Sequence, residues 1–220
     1  ACGLADEARF RADQIEPGEF GVRFRLIVDG EPVGSAQLHV PGEHNVLNAL
    51  CAIAAADRAG VTPVSALAGL EAYRGVRRRF ELICELDGAL VVDDYAHHPT
   101  EVAATLSAAR SGWPDRRIVA VFQPHLYSRT RDFMRGFAEA LATADEVIVA
   151  GIYGAREEPI EGVDAVDLAA LVREIGPGLP VQYVAERIDV TDVVRTIARP
   201  DDLILTIGAG DIRRVAEELA

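Results

Sequence analysis

The sequence predicts an α/β protein, with a doubly wound, mainly parallel sheet over 77–220 preceded by antiparallel strands and two helices over 1–76. Three observations predict it. Beyond the basic stretch GVRRRF, short apolar runs alternate with helical patterns, as in strands linked by crossover helices. Between Arg9 and Val40 polar and apolar residues alternate one by one, as in half-exposed antiparallel strands. The change of pattern falls between Gly75 and Arg79, which marks the domain boundary.

Each element has its own warrant. FGVRFRLIVDG and PVGSAQLHV read as strands with Asp29-Gly30 as the turn between them. PGEHN then opens an apolar helix closed by Gly60. A second helix has Thr62 as its cap, Pro63 in its first turn and Gly75 near its end. Further strands are expected at FELICEL, ALVVDD, RIVAVFQ, EVIVAG, VQYV and LILTIG, with helices starting near Pro99, Thr130, Asp167, Asp189 and Asp211.

Composition narrows the function. The 220 residues carry 35 acidic and 22 basic groups, a net charge of -13, which disfavours nucleic acid and anionic membrane surfaces as partners. Every basic residue is arginine, so these residues hold no phosphate-loop lysine, Schiff base or carbamylated lysine. Cys2, Cys51 and Cys84 have no CxxC spacing and read as reduced, cytosolic thiols. The longest apolar run, 46–56, is interrupted by Asn48 and is far short of the roughly 20 residues a membrane helix needs. ACGLADEARF has no signal-peptide character, and a start at alanine reads as a cut from a longer chain.

Four segments carry chemistry. DDYAHHPTE, from Asp93 to Glu101, ends an apolar strand in a run of titratable groups, where a doubly wound sheet binds its ligands. A polar turn alone would not need so many. FQPHLYSRTRDF follows the next strand and brings His125, Tyr127 and Arg129 to the same edge, the arginine suited to fork onto a carboxylate or phosphate. Arg131 and Arg135 read only as a solvated helix face. In PGEHNVLNA, Asn45 and Asn48 lie three apart at a helix start; their amides suit a purine edge, although Asn45 could equally be a cap. Arg77, Arg78 and Arg79 at the junction are a solvated linker or a phosphate-reaching group. TIGAGDIRR is discounted as a dinucleotide loop, because Arg213 stands in place of its third glycine, and the adjacent His97 and His98 do not have zinc-site spacing.

Taken together, GEHNVLNALCAIAAA, GVRRRFE, VVDDYAHHPTEVAATL, VFQPHLYSRT, IYGAREEPIEGV and LTIGAGD resemble the Mur ligase family through nearly the whole chain. HN-x-x-N and the linker arginine resemble the family at large, while DDYAHHPTE, FQPHLYSRT and IYGAREEP resemble its alanine-adding branch. The resemblance implies the last part of a central ATPase domain over 1–76 and a C-terminal Rossmann-like, amino-acid-binding domain over 77–220. It implies an ADP-forming, amide-bond-forming ligase of peptidoglycan synthesis in the cytoplasm. Its cofactors would be ATP and magnesium, with the metal's ligands mostly outside this segment, and its substrates UDP-N-acetylmuramate and L-alanine. By motif, Asn45 and Asn48 resemble adenine-proximal residues, Arg79 the arginine near the phosphates and Asp94 the carboxylate that meets the ribose. Tyr95, His97, His125 and Arg129 resemble residues near the alanine and the muramyl carboxylate. Leu126 departs from the pattern, standing where some relatives have a second arginine. The segment alone, without a phosphate-loop lysine, is expected to be inactive. Two alternatives stay open: a related ligase that adds a whole peptide to the same sugar nucleotide, and a non-enzymatic module binding a small anion at the Asp93–His98 loop.

Overall fold

The computed structural model describes residues 1–220. They form two compact units, Ala1–Gly75 with Ser111–Pro114, and Val76–Arg110 with Asp115–Ala220.

In the first unit, β1 (Cys2–Gly3), β2 (Phe10–Gly18), β3 (Gly21–Val28) and β4 (Glu31–Leu38) form a sheet in chain order. The strands β2, β3 and β4 pair antiparallel, and the unanticipated β1 adds a short parallel edge to β2. Asp29 and Gly30 turn the β3–β4 hairpin with φ of 51° and 85°, the left-handed pair a two-residue turn requires. Alternation puts Val22, Phe24 and Leu26 on one face, against Val46, Leu50 and Ile53 of α1 (Glu43–Arg58). The next helix, α2 (Pro63–Ala72), starts as its sequence dictates: Thr62 accepts from the Ser65 amide, and Pro63 sits where no amide is needed. The Cys2 and Cys51 thiols lie 3.3 Å apart and are free.

The second unit contains β5 (Glu81–Leu86), β6 (Ala89–Asp94), α3 (Pro99–Gly112), β7 (Arg117–Phe122), α4 (Tyr127–Leu141), β8 (Glu146–Ala150), α5 (Ala165–Ile175), β9 (Val181–Val184), α6 (Arg187–Ile197), β10 (Asp202–Ile207) and α7 (Arg213–Leu219). The sheet order is β5-β6-β10-β7-β8-β9, parallel except for the edge strand β5. This is the expected α/β architecture. Helices cover both faces: Val190 and Val194 of α6 and Val215 and Leu219 of α7 pack on Val91, Val119, Ile148 and Ile204. On the other face Phe137 of α4 lies 5.2 Å, ring to ring, from Phe122. Because β10 returns between β6 and β7, the carboxyl ends of β6 and β7 flank the sheet's change of direction, where open α/β sheets hold ligands.

Helix starts differ from the sequence expectation. The helix α4 begins at Tyr127, not Thr130, so Tyr127, Ser128 and Arg129 lie on its first turn. Its cap position is Leu126 at φ 70°, whose side chain cannot cap; the acceptor comes instead from a distant loop, as described below. The helix α5 begins at Ala165 because Asp164 caps it by accepting from the Val166 amide. The helix α7 begins at Arg213, just beyond Asp211, whose carbonyl accepts from the Arg214 amide and whose carboxylate accepts from Gln123. No helix is long and apolar enough to cross a membrane.

Candidate active site

At the carboxyl end of β6 the two aspartates diverge in role. Asp93 is fully buried, accepting from Thr206 Oγ1 at 2.9 Å, Arg78 Nε at 3.1 Å and Arg213 Nη1 at 3.2 Å. It is a lattice point of the fold. Asp94 is only 6% exposed and takes one backbone N–H on each oxygen, Ala96 at 2.8 Å and Phe80 at 2.9 Å. Burial pushes its carboxyl up to about 6, with those two amides and Arg79 pulling back. A ribose contact would have to use the lone pairs these amides leave free.

The following loop presents the imidazoles. His97 Nδ1 lies 2.9 Å from the Tyr95 carbonyl, which needs a donor, so in the neutral ring Nδ1 carries the proton and Nε2 is left as an acceptor. Glu101 in the first turn of α3 accepts from the amides of His97 and His98 at 2.9 and 3.2 Å. Burial alone would raise the Glu101 carboxyl, but these amides and the charges of His97 and Arg79 hold it below its ordinary value. The acid thereby fixes the backbone under both imidazoles.

The three junction arginines separate clearly. Arg77 is 82% exposed. Arg78 is anchored, donating to Asp93 and to the Gly208 carbonyl at 2.8 Å, with its guanidinium 4.8 Å from the Tyr95 ring centre. Its carbonyl accepts from the Tyr95 amide at 2.7 Å, so it ties the junction to the β6 loop. Arg79 is half-exposed, 5.8 Å from the same ring and 3.7 Å from Glu101. Of the three, Arg79 alone lies beside the β6 loop with its guanidinium half-exposed.

After β7, Gln123 bridges to the β10–α7 loop, donating to Asp211 at 2.9 Å and accepting from the Ile212 amide at 3.1 Å. His125 follows, its ring stacked on Tyr153 at 5.8 Å and 14° and 6.2 Å from the His97 ring. Arg129 Nη1 is 3.4 Å from His125 Nδ1, so that nitrogen faces a donor and is held as the acceptor. Burial, then the charges of Arg129 and His97, push the His125 pKa down, and the ring is neutral at neutral pH. Tyr95, His97, His125 and Tyr153 thus form one row of rings along the sheet's carboxyl edge, flanked by Arg79 and Arg129.

Asn45 and Asn48 belong to the first unit, where they line a pocket of about 430 Å³ walled by Leu38, Val40, Leu70 and Tyr73. Asn45 donates to the Pro41 carbonyl at 2.7 Å and accepts from Asn48 at 3.3 Å. A polar edge on apolar walls fits a flat heterocycle. Nowhere do three His, Cys, Asp or Glu side chains gather into a group that could hold a metal ion.

Sequence reasoning quoted the segments that hold Arg78, Glu101, Gln123, Ser128, Tyr153 and Glu157 but singled out none of these residues. Tyr153 and Glu157 lay within the quoted IYGAREEP, but only the fold shows that this loop returns against His125. Arg78 could not be told from its two neighbours by sequence.

Comparison with known proteins supplies the class. Residues 1–56 match the Mur ligase middle domain and residues 78–210 the Mur ligase, glutamate ligase domain, and the chain belongs to the Mur ligase family. Within that family it is 46% identical over 215 residues to the UDP-N-acetylmuramate–L-alanine ligase of Salinibacter ruber, a match covering 98% of this chain and 45% of the relative. The crystal structure of the UDP-N-acetylmuramate-alanine ligase of Thermotoga maritima superimposes with a TM-score of 0.81 at 28% identity, over 98% of this chain and 46% of that one. A murein peptide ligase from Psychrobacter arcticus is also 28% identical, over 97% of this chain and 44% of that one, with a TM-score of 0.64. The chain spans about half the length of the curated relatives it matches.

Proposed function

We propose that this chain is part of a cytoplasmic ATP-dependent ligase that joins L-alanine to the carboxylate of UDP-N-acetylmuramate in peptidoglycan precursor synthesis. The observation that carries the proposal is the pairing of Arg129 with a neutral His125 beside His97. Forming an amide from a carboxylate and an amino acid needs a cation to hold carboxylate oxygens and a neutral base to take a proton from the ammonium. Arg129 is the cation. His97, whose Nδ1 is on the Tyr95 carbonyl, would offer Nε2 as the proton acceptor, while neutral His125, whose Nδ1 lone pair faces Arg129, carries its proton on Nε2 and would donate to a carboxylate oxygen.

ATP would activate the muramyl carboxylate as an acyl phosphate, which the alanine amine then attacks; each step builds negative charge on oxygen. Arg79, with its accessible guanidinium, is proposed for the phosphates, Asp94 for the ribose, and the Asn45–Asn48 pocket for the adenine. Tyr95, His97, His125 and Arg129 would hold the alanine and the muramyl carboxylate. The magnesium ligands would lie mostly outside this chain. No side chain need become covalently attached.

The alanine acceptor is favoured over a peptide because curated relatives 46% and 41% identical over nearly the whole of this chain are alanine ligases. The test uses the full-length protein with ATP, magnesium and UDP-N-acetylmuramate, offering L-alanine or a tripeptide and identifying the product by mass. Alanine addition is expected. Tripeptide addition alone would transfer the chain to the peptide-adding reading, and no product with either would leave a small-anion-binding module.

A further inference from the structure

The helix carrying Arg129 has no cap of its own. The first-turn amides of α4 need acceptors, and Leu126, in the cap position, supplies no side-chain oxygen. The acceptor arrives from the loop after β8. Glu157 takes the Ser128 amide at 2.9 Å on one oxygen and the Ser128 hydroxyl at 2.5 Å on the other. These bonds are the largest cause holding its carboxyl below the ordinary value.

The loop bearing Glu157 is itself fastened to the His125 segment. The Leu126 amide donates to the Tyr153 carbonyl at 3.0 Å and the Tyr153 amide to the Pro124 carbonyl at 2.8 Å, a one-residue bridge flanking His125. The Glu157 amide closes the turn onto the Gly154 carbonyl at 2.9 Å. Gly154 is obligatory in this packing, since a Cβ there would stand 2.9 Å from Cε2 of Tyr127 and 3.1 Å from the Glu157 carbonyl oxygen. Two contacts thus converge from one loop: Tyr153 stacks on the His125 ring, and Glu157 grips the residue next to Arg129.

We infer that Glu157 is a positioning residue for the acceptor end of the site, acting through the first turn of α4 on Arg129 and on the spacing of Arg129 from His125. Its carboxylate makes no ion pair with Arg129, so that guanidinium stays available to a substrate carboxylate while its backbone is fixed. Loss of Glu157 frees the first turn and lets Arg129 drift from the imidazole. Displacements of about 1 Å at such groups cost up to roughly a hundredfold in rate.

The inference rests on the proposed ligase reading, and its test keeps the two apart by running the unsubstituted full-length protein beside Glu157→Ala and Glu157→Gln. Expected for Glu157→Ala is a rise in KM for the acceptor and a fall in kcat, together roughly tenfold or more in kcat/KM, with KM for ATP unchanged and the melting temperature lowered by no more than the few degrees that loss of a helix cap costs. Glu157→Gln retains most activity, because its amide oxygen still accepts from the Ser128 amide. An unchanged kcat/KM for the acceptor in Glu157→Ala, an equal loss toward ATP, or a fall in melting temperature well beyond that of a lost cap would overturn the positioning role while the ligase reading stands. Absence of ligation in the unsubstituted protein would instead overturn that reading, and Glu157's role with it.

Discussion

Replacing Asp94 by asparagine tests the site's electrostatics more sharply than a removal would, because shape is kept while one acceptor becomes a donor. In the native chain each Asp94 oxygen faces one backbone N–H, Ala96 at 2.8 Å and Phe80 at 2.9 Å. An asparagine satisfies one and turns its NH₂ toward the other, which costs roughly 1–3 kcal/mol at any pH for the orphaned donor. A second contribution depends on pH. The Asp94 carboxyl is raised from 3.8 to about 6 by burial, so its proton-linked stabilisation is fully present below 3.8 and lost as the pH rises through about 6. Linkage over that interval gives about 1.4 kcal/mol at about pH 5 and almost none at about pH 7.5. The replacement amide does not titrate. Urea unfolding followed by circular dichroism should therefore show Asp94→Asn more damaging at the lower pH, by about 1.4 kcal/mol. A penalty that is flat with pH, or larger at the higher pH, would refute the reasoning that Asp94 is a desolvated acid.

Four further predictions concern the site, the opposite edge of the sheet and the chain as a whole. In the full-length protein, Arg129→Ala should lower kcat/KM by one to two decades, about 1.5–3 kcal/mol, with little loss of stability; near-normal turnover would remove Arg129 from the site. In the same variant, nitrogen-detected NMR should find the His125 pKa moved up toward its ordinary value, since Arg129 is the main charge depressing it after burial, and an unmoved titration would contradict the 3.4 Å approach. At the opposite edge of the sheet Arg117 bonds both oxygens of Asp202 and also Glu146, so Arg117→Ala strands two buried carboxylates and should cost about 3–5 kcal/mol in chemical denaturation without altering KM for any substrate. Finally, the 220-residue chain assayed alone should show no magnesium-dependent ATP hydrolysis, because it contains no lysine to serve a phosphate loop; activity above a mock preparation would show the chemistry misplaced.

The fold was legible where one physical rule acts locally. The run LILTIG could only be buried on both faces, and β10 is the inner strand between β6 and β7. Asp29-Gly30 and Thr62-Pro63 carried their turn and cap chemistry within a few residues, and both act as read. The short strand β1 left no signal because two residues have no periodicity. The start of α4 was misread for a different reason: its cap belongs to Glu157, 29 residues on in the chain from Ser128, and no local pattern announces that. The β6 and β7 loops were recognisable as site material from their chemistry, but which arginine is fixed and which is accessible depends on Arg78 reaching Gly208, 130 residues away. Sequence therefore points to the groups, and tertiary contacts decide their roles.

In the proposed function, the ring row and Arg129 at the carboxyl edge of this sheet receive the acceptor and the activated carboxylate. A crystal structure of the full-length protein with its proposed product, UDP-N-acetylmuramyl-L-alanine, tests this directly. The account predicts the new amide bond lying within hydrogen-bond reach of His97, His125 or Arg129, with the alanyl carboxylate beside a guanidinium. A product bound with its amide away from all three side chains would contradict it.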